Sequence, residues 1–331
     1  MKEILWAACA LACLTLSCKQ VVETPEPGPG DTPIVYAEAT YDIQRFPDIT
    51  YAEGLSHDAI NSPDPKVMPL LLDAYVPDNE LTKRPAMLLI HGGGFQGGSR
   101  KAESIVNLCE YFTARGWVTF SINYRLLDDL GTVPTAWVDY AQQLPDTVPV
   151  DRFYSLYPAA RDAKAALRWL FANAETYGID TDYITVGGGS AGAITATMLG
   201  ITDAEDYTDE ITLAEDPTLA TANLGQATAV HSILDFWGSG LHVQMLEDVY
   251  GVNRYDETDA PILIMHGTED PTVPFSDGEA LRDRYTENGV AHGFYPLEGR
   301  GHGPWNATVD GQTLTELCFD FVVEQQGLTV E

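Results

Sequence analysis

Residues 186–193 read VGGGSAGA, a single hydroxyl on Ser190 with three glycines before it and Ala191 and Gly192 after it. A serine hydroxyl is a weak nucleophile until a base takes its proton. The oxyanion formed when it attacks a carbonyl needs hydrogen-bond donors fixed in place beforehand. A sharp strand-to-helix turn would force unusual backbone angles on the serine and press adjoining turns together. The positions two before and two after it, Gly188 and Gly192, must then lack side chains. Such a turn also lifts the hydroxyl to the positive end of the following helix. A second glycine run, HGGGF at 91–95, ends another apolar stretch and can turn backbone N–H groups toward a substrate carbonyl without obstruction. Gly93, Gly94 and the N–H of Ala191 are the candidate oxyanion donors.

Seven histidines compete to be the base. Where nucleophile, acid and base follow one another along the chain, an acid at Asp270 leaves His292 and His302. His302 lies in GRGHGPW after the last apolar run, where a glycine-flanked loop can carry an imidazole to the serine. His292 precedes that run, at the wrong edge of the sheet, and reads as a surface or structural residue. Asp270, in HGTEDPTVP, stands just past a buried run with Pro271 and Pro274 stiffening the loop behind it. Asp235, in ILDFWG one run earlier, is its competitor, and Glu269 and Glu298 read as solvated carboxylates.

These residues need a frame, and the alternation of short apolar runs with helical patterns supplies one. Segments 67–77, 86–94, 117–125, 183–190, 229–238, 260–270 and 293–302 read as strands. Between and after them, 99–116, 158–178 and 313–326 read as helices, the first with Ile105, Leu108, Cys109 and Phe112 on one face. The expected fold class is α/β, a mostly parallel sheet covered by helices on both faces, with reactive residues gathered at strand ends.

HGGGF, INYRL (122–126), GGSAG and HGTEDPTVP together resemble the α/β-hydrolase serine carboxylesterases related to hormone-sensitive lipase and to bacterial feruloyl and acetyl xylan esterases. The similarity spans roughly residues 48–325, and LDAYVP (72–77) resembles the strand before the oxyanion loop. It implies an acyl-enzyme mechanism with Ser190, Asp270 and His302 catalytic, Gly93, Gly94 and Ala191 as the oxyanion hole, and no cofactor. Gly189 and Ala193 depart from the lipase-like branch, which usually has aspartate before the serine and a further glycine after SAG; the long N-terminal cap helices of that branch are also absent. A small cap, with 239–259 the only stretch between the last strands able to cover the site, predicts short acyl esters, with acetyl or feruloyl esters of glycans as one substrate class. A peptidase of the prolyl oligopeptidase type is the alternative, although Ala191 stands where that group carries an aromatic residue. A polyester hydrolase, a lipase and an inert adhesion protein built on the same fold are further alternatives.

Two insertions bear on the substrate. Residues 127–157 add Trp137, Tyr140, Phe153, Tyr154 and Tyr157, which with Phe95, Phe236 and Trp305 either form an aromatic wall for the substrate or pack a long loop. The segment 202–218 holds clustered carboxylates without the spacing of an EF-hand loop, and reads as an acidic solvated face in preference to a calcium site. No zinc signature or phosphate-binding glycine loop is present, so no metal is expected.

The formal charge of −31 makes a surface that repels phosphate backbones, which argues against nucleic acid as a partner. At the N-terminus the uncharged run Ile4–Leu16 is shorter than the roughly 20 residues a membrane span needs and reads as a secretory signal. TLSC resembles a bacterial lipoprotein processing site, which would make residues 1–18 a leader and Cys18 the lipid-anchored first residue in the cell envelope. Cleavage without a lipid is the alternative. Residues 19–34, rich in proline, glycine and acid, read as a tether, and 35–331 as one catalytic domain. After such processing only Cys109 and Cys318 remain. In the resembled fold the first and last helices share a side of the sheet, which leaves open a disulfide or two separate buried thiols.

Overall fold

The structure, a computed structural model, describes residues 32–145 and 149–331. The leader, Cys18 and most of the tether lie outside the described residues. Among the described residues no helix is long and apolar enough to cross a membrane.

Eight strands form the central sheet: β1 (Ile43–Ser56), β2 (Lys66–Pro77), β3 (Arg84–Ile90), β4 (Val118–Ile122), β5 (Ile179–Gly189), β6 (Ser232–Phe236), β7 (Ile262–Gly267) and β8 (His292–Leu297). Their spatial order is β1-β2-β4-β3-β5-β6-β7-β8. β1 and β2 pair antiparallel, as do β2 and β4, and every later pairing is parallel. Every residue of β3, β4, β6 and β7 is buried, because helices cover both faces and leave no side for water. This is the α/β architecture that the strand and helix pattern implied.

The helices divide between the two faces. α1 (Glu103–Thr113) and α7 (Leu314–Gln326) pack Ile105, Leu108, Phe112, Leu317 and Phe321 into one apolar cluster. On the other face, α2 (Thr135–Ala141), α3 (Val150–Ala172), α4 (Ala191–Ile201), α5 (Leu241–Tyr250) and α6 (Phe275–Asn288) share a larger one. Cys109 and Cys318 are both fully buried in the first cluster and both are free thiols, so the open question resolves as two unbonded cysteines. Burial pushes the Cys109 thiol up to about 12 and raises Cys318 as well.

Three local expectations change. β1 was not anticipated, because Pro47 and a register shift between Phe46 and Ile49 break its alternation and much of it is exposed. α3 does not begin at Pro158 but at Val150, and carries the proline inside the helix. The acidic segment 202–218 is a solvated face only in part: Asp203, Glu205, Asp209 and Glu215 are exposed, whereas Asp206 and Asp216 are buried against cations, and among the described residues no cluster of three ligands is placed to hold a metal. Asp216 pairs with Arg161 at 2.7 Å, and Asp206 and Asp203 take Arg254 at 2.7 and 2.9 Å. Its backbone also accepts from α3: the Lys164 ammonium donates to the Asp203 carbonyl, and Arg168 donates to that of Ala204 at 2.6 Å.

Candidate active site

β5 ends at Gly189 and α4 begins at Ala191, so Ser190 alone makes the turn, at φ 57° and ψ −121°. A side chain rarely tolerates that backbone, and it is sustained here by contacts no larger residue would permit. A Cβ on Gly192 would stand 2.1 Å from the Ile90 carbonyl oxygen, and one on Gly188 would stand 2.4 Å from the same atom. The two glycines therefore let the elbow press against the end of β3, which is where the HGGGF loop begins. The Ser190 N–H donates to the Phe236 carbonyl at 2.9 Å and pins the turn to β6.

His302 reaches this serine from the loop after β8. Its Nε2 lies 2.9 Å from Ser190 Oγ and its Nδ1 2.7 Å from Asp270 Oδ2. An ionised carboxylate only accepts, so Nδ1 carries the proton and Nε2 is left free to take one from the serine. Asp270 Oδ1 accepts the N–H groups of Thr272 and Val273 at 2.8 and 3.0 Å, which fixes the carboxylate in place. The side chain of Asp270 is fully buried, and His266 Nε2 stands 3.6 Å from its Oδ2 while donating to the Val273 carbonyl at 3.0 Å.

The competing residues are engaged elsewhere. Asp235 accepts the Gly238 N–H at 2.7 Å and the Thr197 hydroxyl at 3.0 Å, and burial raises its pKa. His292 turns its Nδ1 to the Val290 carbonyl at 2.9 Å.

Gly93 and Gly94 adopt φ of 124° and 62°, which turns their amides out of any strand pattern. Among the described residues no backbone carbonyl accepts from the N–H of Gly93, Gly94 or Ala191. The loop is held by its surroundings. His91 Nδ1 donates to the Gly92 carbonyl at 2.7 Å, and burial holds that imidazole below its usual range, so it stays neutral. Tyr124 stacks on the His91 ring at 4.4 Å and donates to the His91 carbonyl at 2.9 Å. Asn123 accepts the Arg100 N–H at 2.7 Å. Asn123 and Tyr124 carried the family resemblance in INYRL, yet their role in bracing the oxyanion loop was not read from sequence. Only their place at the end of β4, beside that loop, could have signalled it.

A cavity of about 410 Å³ opens over Ser190, between the oxyanion loop, α2, α3, α5 and the loop Thr272–Pro274. Of the four aromatic residues proposed to meet substrate, Phe95 lines it. Trp137 does not: it is fully buried behind Phe153, stacked on that ring at 5.0 Å. Phe236 is likewise buried, packed with Trp305 at 4.8 Å in the cluster on the opposite face of the sheet. Trp305 packs over the elbow, within 2.7 Å of where a Cβ on Gly189 would sit. Tyr140 and Phe153 complete the wall, so the 127–157 insertion covers the site together with 239–259 instead of leaving that to the latter alone.

Behind Phe95, His242 on α5 is fully buried with neither ring nitrogen partnered among the described residues. Burial pushes its pKa down to about 4, from 6.5 in an unfolded chain. Between those values the unfolded state binds the proton and the folded state does not. Its contribution to stability is therefore complete above pH 6.5 and is lost as pH falls toward 4, by at most about 3 kcal/mol. Urea midpoints at pH 7.5 and 5.0 should lie closer together in His242→Leu than in the wild type; an unchanged gap would show that other groups set the acid limb.

A profile of the BD-FAE family matches residues 72–144 and 154–248. That match takes in Gly93, Gly94 and Ser190 but stops short of Asp270 and His302, whose placement rests on the geometry above. Esterase LipC of Mycobacterium tuberculosis is 24% identical over 274 residues, covering 71% of this chain and 59% of its own length. Esterase LipQ of the same organism is 24% identical over 268 residues, 72% of this chain and 55% of its own length. The chain thus spans a little over half the length of these two curated relatives. In fold, it is similar to Thermogutta terrifontis esterase 2 with propionate bound (TM-score 0.57, 23% identity, 81% of this chain and 94% of that one). A truncated carbohydrate esterase from gut microbiota aligns with a TM-score of 0.57 and 21% identity over 90% of this chain and all of that one. Both support the α/β-hydrolase fold.

Proposed function

The chain belongs to the BD-FAE family, and from that premise we propose that it is a serine carboxylesterase acting on short acyl esters. The observation that carries the reading is the line from Asp270 Oδ2 through His302 to Ser190 Oγ, 2.7 and 2.9 Å, beside the uncommitted amides of Gly93, Gly94 and Ala191. In that geometry His302 takes the serine proton as Oγ bonds to the ester carbonyl carbon. The carbonyl oxygen becomes an oxyanion held by the three amides, and His302 then returns the proton to the departing alcohol. Water activated by the same imidazole releases the acid and restores Ser190. Esters of plant or algal glycans, acetyl or feruloyl, are the substrate class the sequence resemblance favours.

Chain length is set by the cavity. Leu144, Leu156, Ile194, Leu241 and Met245 give it an apolar wall, and each methylene buried there contributes roughly 0.8 kcal/mol only until the wall ends. A panel of p-nitrophenyl esters should therefore peak between about two and six acyl carbons, as the reward per buried methylene runs out. Efficiency rising steadily from acetate to palmitate would instead describe a lipase, and amide cleavage as fast as ester cleavage a peptidase.

A further inference from the structure

Arg152 is the only basic side chain among the described residues that line the cavity, and it sits at its mouth beside the oxyanion loop. A Cβ on Gly94 would stand 3.0 Å from its Nη2 and 3.7 Å from its Cζ, which places the guanidinium against the backbone of an oxyanion-loop residue. Gln96 flanks the same point, its Nε2 3.7 Å away. Elsewhere on α3 the arginines are engaged: Arg161 by Asp216 at 2.7 Å, and Arg168 by the Ala204 carbonyl at 2.6 Å and Thr208 at 3.0 Å. The Arg152 guanidinium, by contrast, has no carboxylate within 4 Å and no hydrogen-bond acceptor among the described residues. Among the described residues Asp277 is the one carboxylate on the lining, and it lies in the first turn of α6, after the capping Pro274, not on α3. Among the described residues the mouth is thus polarised, with one cation on the α3 side of the oxyanion loop and one anion on the α6 side.

Arg152 is exposed to solvent, in a chain whose formal charge is −31. Its planar fork suits two-point recognition of a carboxylate, and a negative surface leaves this spot as a local exception toward which an anion would be drawn. We infer that Arg152, with Gln96 beside it, forms a subsite for a carboxylate carried by the ester substrate, and so selects anionic esters over neutral ones. The inference rests on the esterase reading and names its substrate class. Asp277 disfavours the same charge on the opposite wall, which gives the bound ester one orientation.

The carboxylate can belong to either half of the ester, and two matched pairs separate the cases. 4-Acetoxybenzoate against its methyl ester carries the charge on the alcohol; phenyl hydrogen adipate against phenyl hexanoate carries it on the acid. In one pair, Arg152→Gln should lower kcat/KM for the anionic member about tenfold, mostly through KM, the size expected of one solvent-accessible charge-assisted hydrogen bond. The neutral member should change less than about twofold, within the range of a bystander surface substitution. Arg152→Lys should restore part of the loss, and added salt should shrink the wild-type preference. Equal losses for neutral and anionic esters, or no difference between wild type and Arg152→Gln in either pair, overturns the subsite while leaving the esterase reading intact. A protein that cleaves neither member of either pair sinks the esterase reading instead. The subsite then stands or falls on calorimetric binding of adipate and 4-hydroxybenzoate to Ser190→Ala protein with and without Arg152→Gln.

Discussion

Ser190→Ala is expected to lower kcat on a short ester by roughly 10⁴- to 10⁶-fold, and His302→Ala by about as much, with KM altered far less. The two losses should not add, since the base has no purpose without the nucleophile and the nucleophile stays protonated without the base. Asp270→Asn should fall short of these but still reach roughly 10³- to 10⁴-fold. Its side chain selects the His302 tautomer, and an amide in its place can present a donor to Nδ1 and leave the proton on Nε2, where it cannot accept from serine. The same set contains its own controls. Asp235 is held by Gly238 and Thr197 and His292 by Val290, so neither touches the reacting atoms. Single-turnover rates on the five variants decide the matter. Normal turnover in His302→Ala beside a dead His292→Ala, or a spared Asp270→Asn beside a dead Asp235→Asn, would reassign the site.

The features legible in the sequence are those imposed by short-range physics. The elbow was readable because a turn at φ 57° packed so closely on Ile90 that a Cβ two residues to either side would stand within 2.4 Å of its carbonyl oxygen admits only glycine there, and that requirement is written in the letters themselves. Parallel strands buried on both faces were readable as unbroken apolar runs. β1 was not, because an edge strand with a bulge and a solvated outer face has no pattern to keep. The aromatic wall was misread in part, for a different reason: Phe95, Tyr140 and Phe153 line the cavity, but Trp137 and Phe236 do not. Composition shows that Trp137 and Phe236 lie in an insertion and beside a strand end, but which side of a ring meets the cavity is set by long-range packing. Trp137 ended behind Phe153 and Phe236 beneath Trp237 and Trp305. The acidic segment misled only where its carboxylates are buried, since the partner of Asp216, Arg161, lies 55 residues earlier on α3 and that of Asp206, Arg254, 48 residues later.

The bracing of the oxyanion loop was also invisible in the sequence, and it leads to the second large effect. Arg125 follows Tyr124, and Asp162 on α3 holds it with both carboxylate oxygens: Nη2 to Oδ1 at 2.6 Å, Nε to Oδ2 at 3.0 Å, and the Arg125 backbone N–H to Oδ2 at 2.8 Å. Its remaining Nη1 donates to the Leu55 carbonyl at 3.0 Å, tying β1 to the end of β4, and both charged side chains are only 2% exposed. Such a pair adds little over a well-packed apolar replacement, but removing one partner strands the other charge in a medium that cannot solvate it. Asp162→Ala is therefore expected to destabilise the protein by about 3–5 kcal/mol in urea denaturation. It should also loosen Tyr124, whose hydroxyl holds the His91 carbonyl, so that kcat falls even at temperatures where the variant is fully folded. Joining Arg125→Met with Asp162→Leu should recover much of the stability. About 1–3 kcal/mol should stay lost, because the Arg125 N–H still lacks its acceptor. An Asp162→Ala variant within about 1 kcal/mol of wild type, the size of an exposed ion pair, would show that water reaches the guanidinium and that the oxyanion loop is braced from elsewhere.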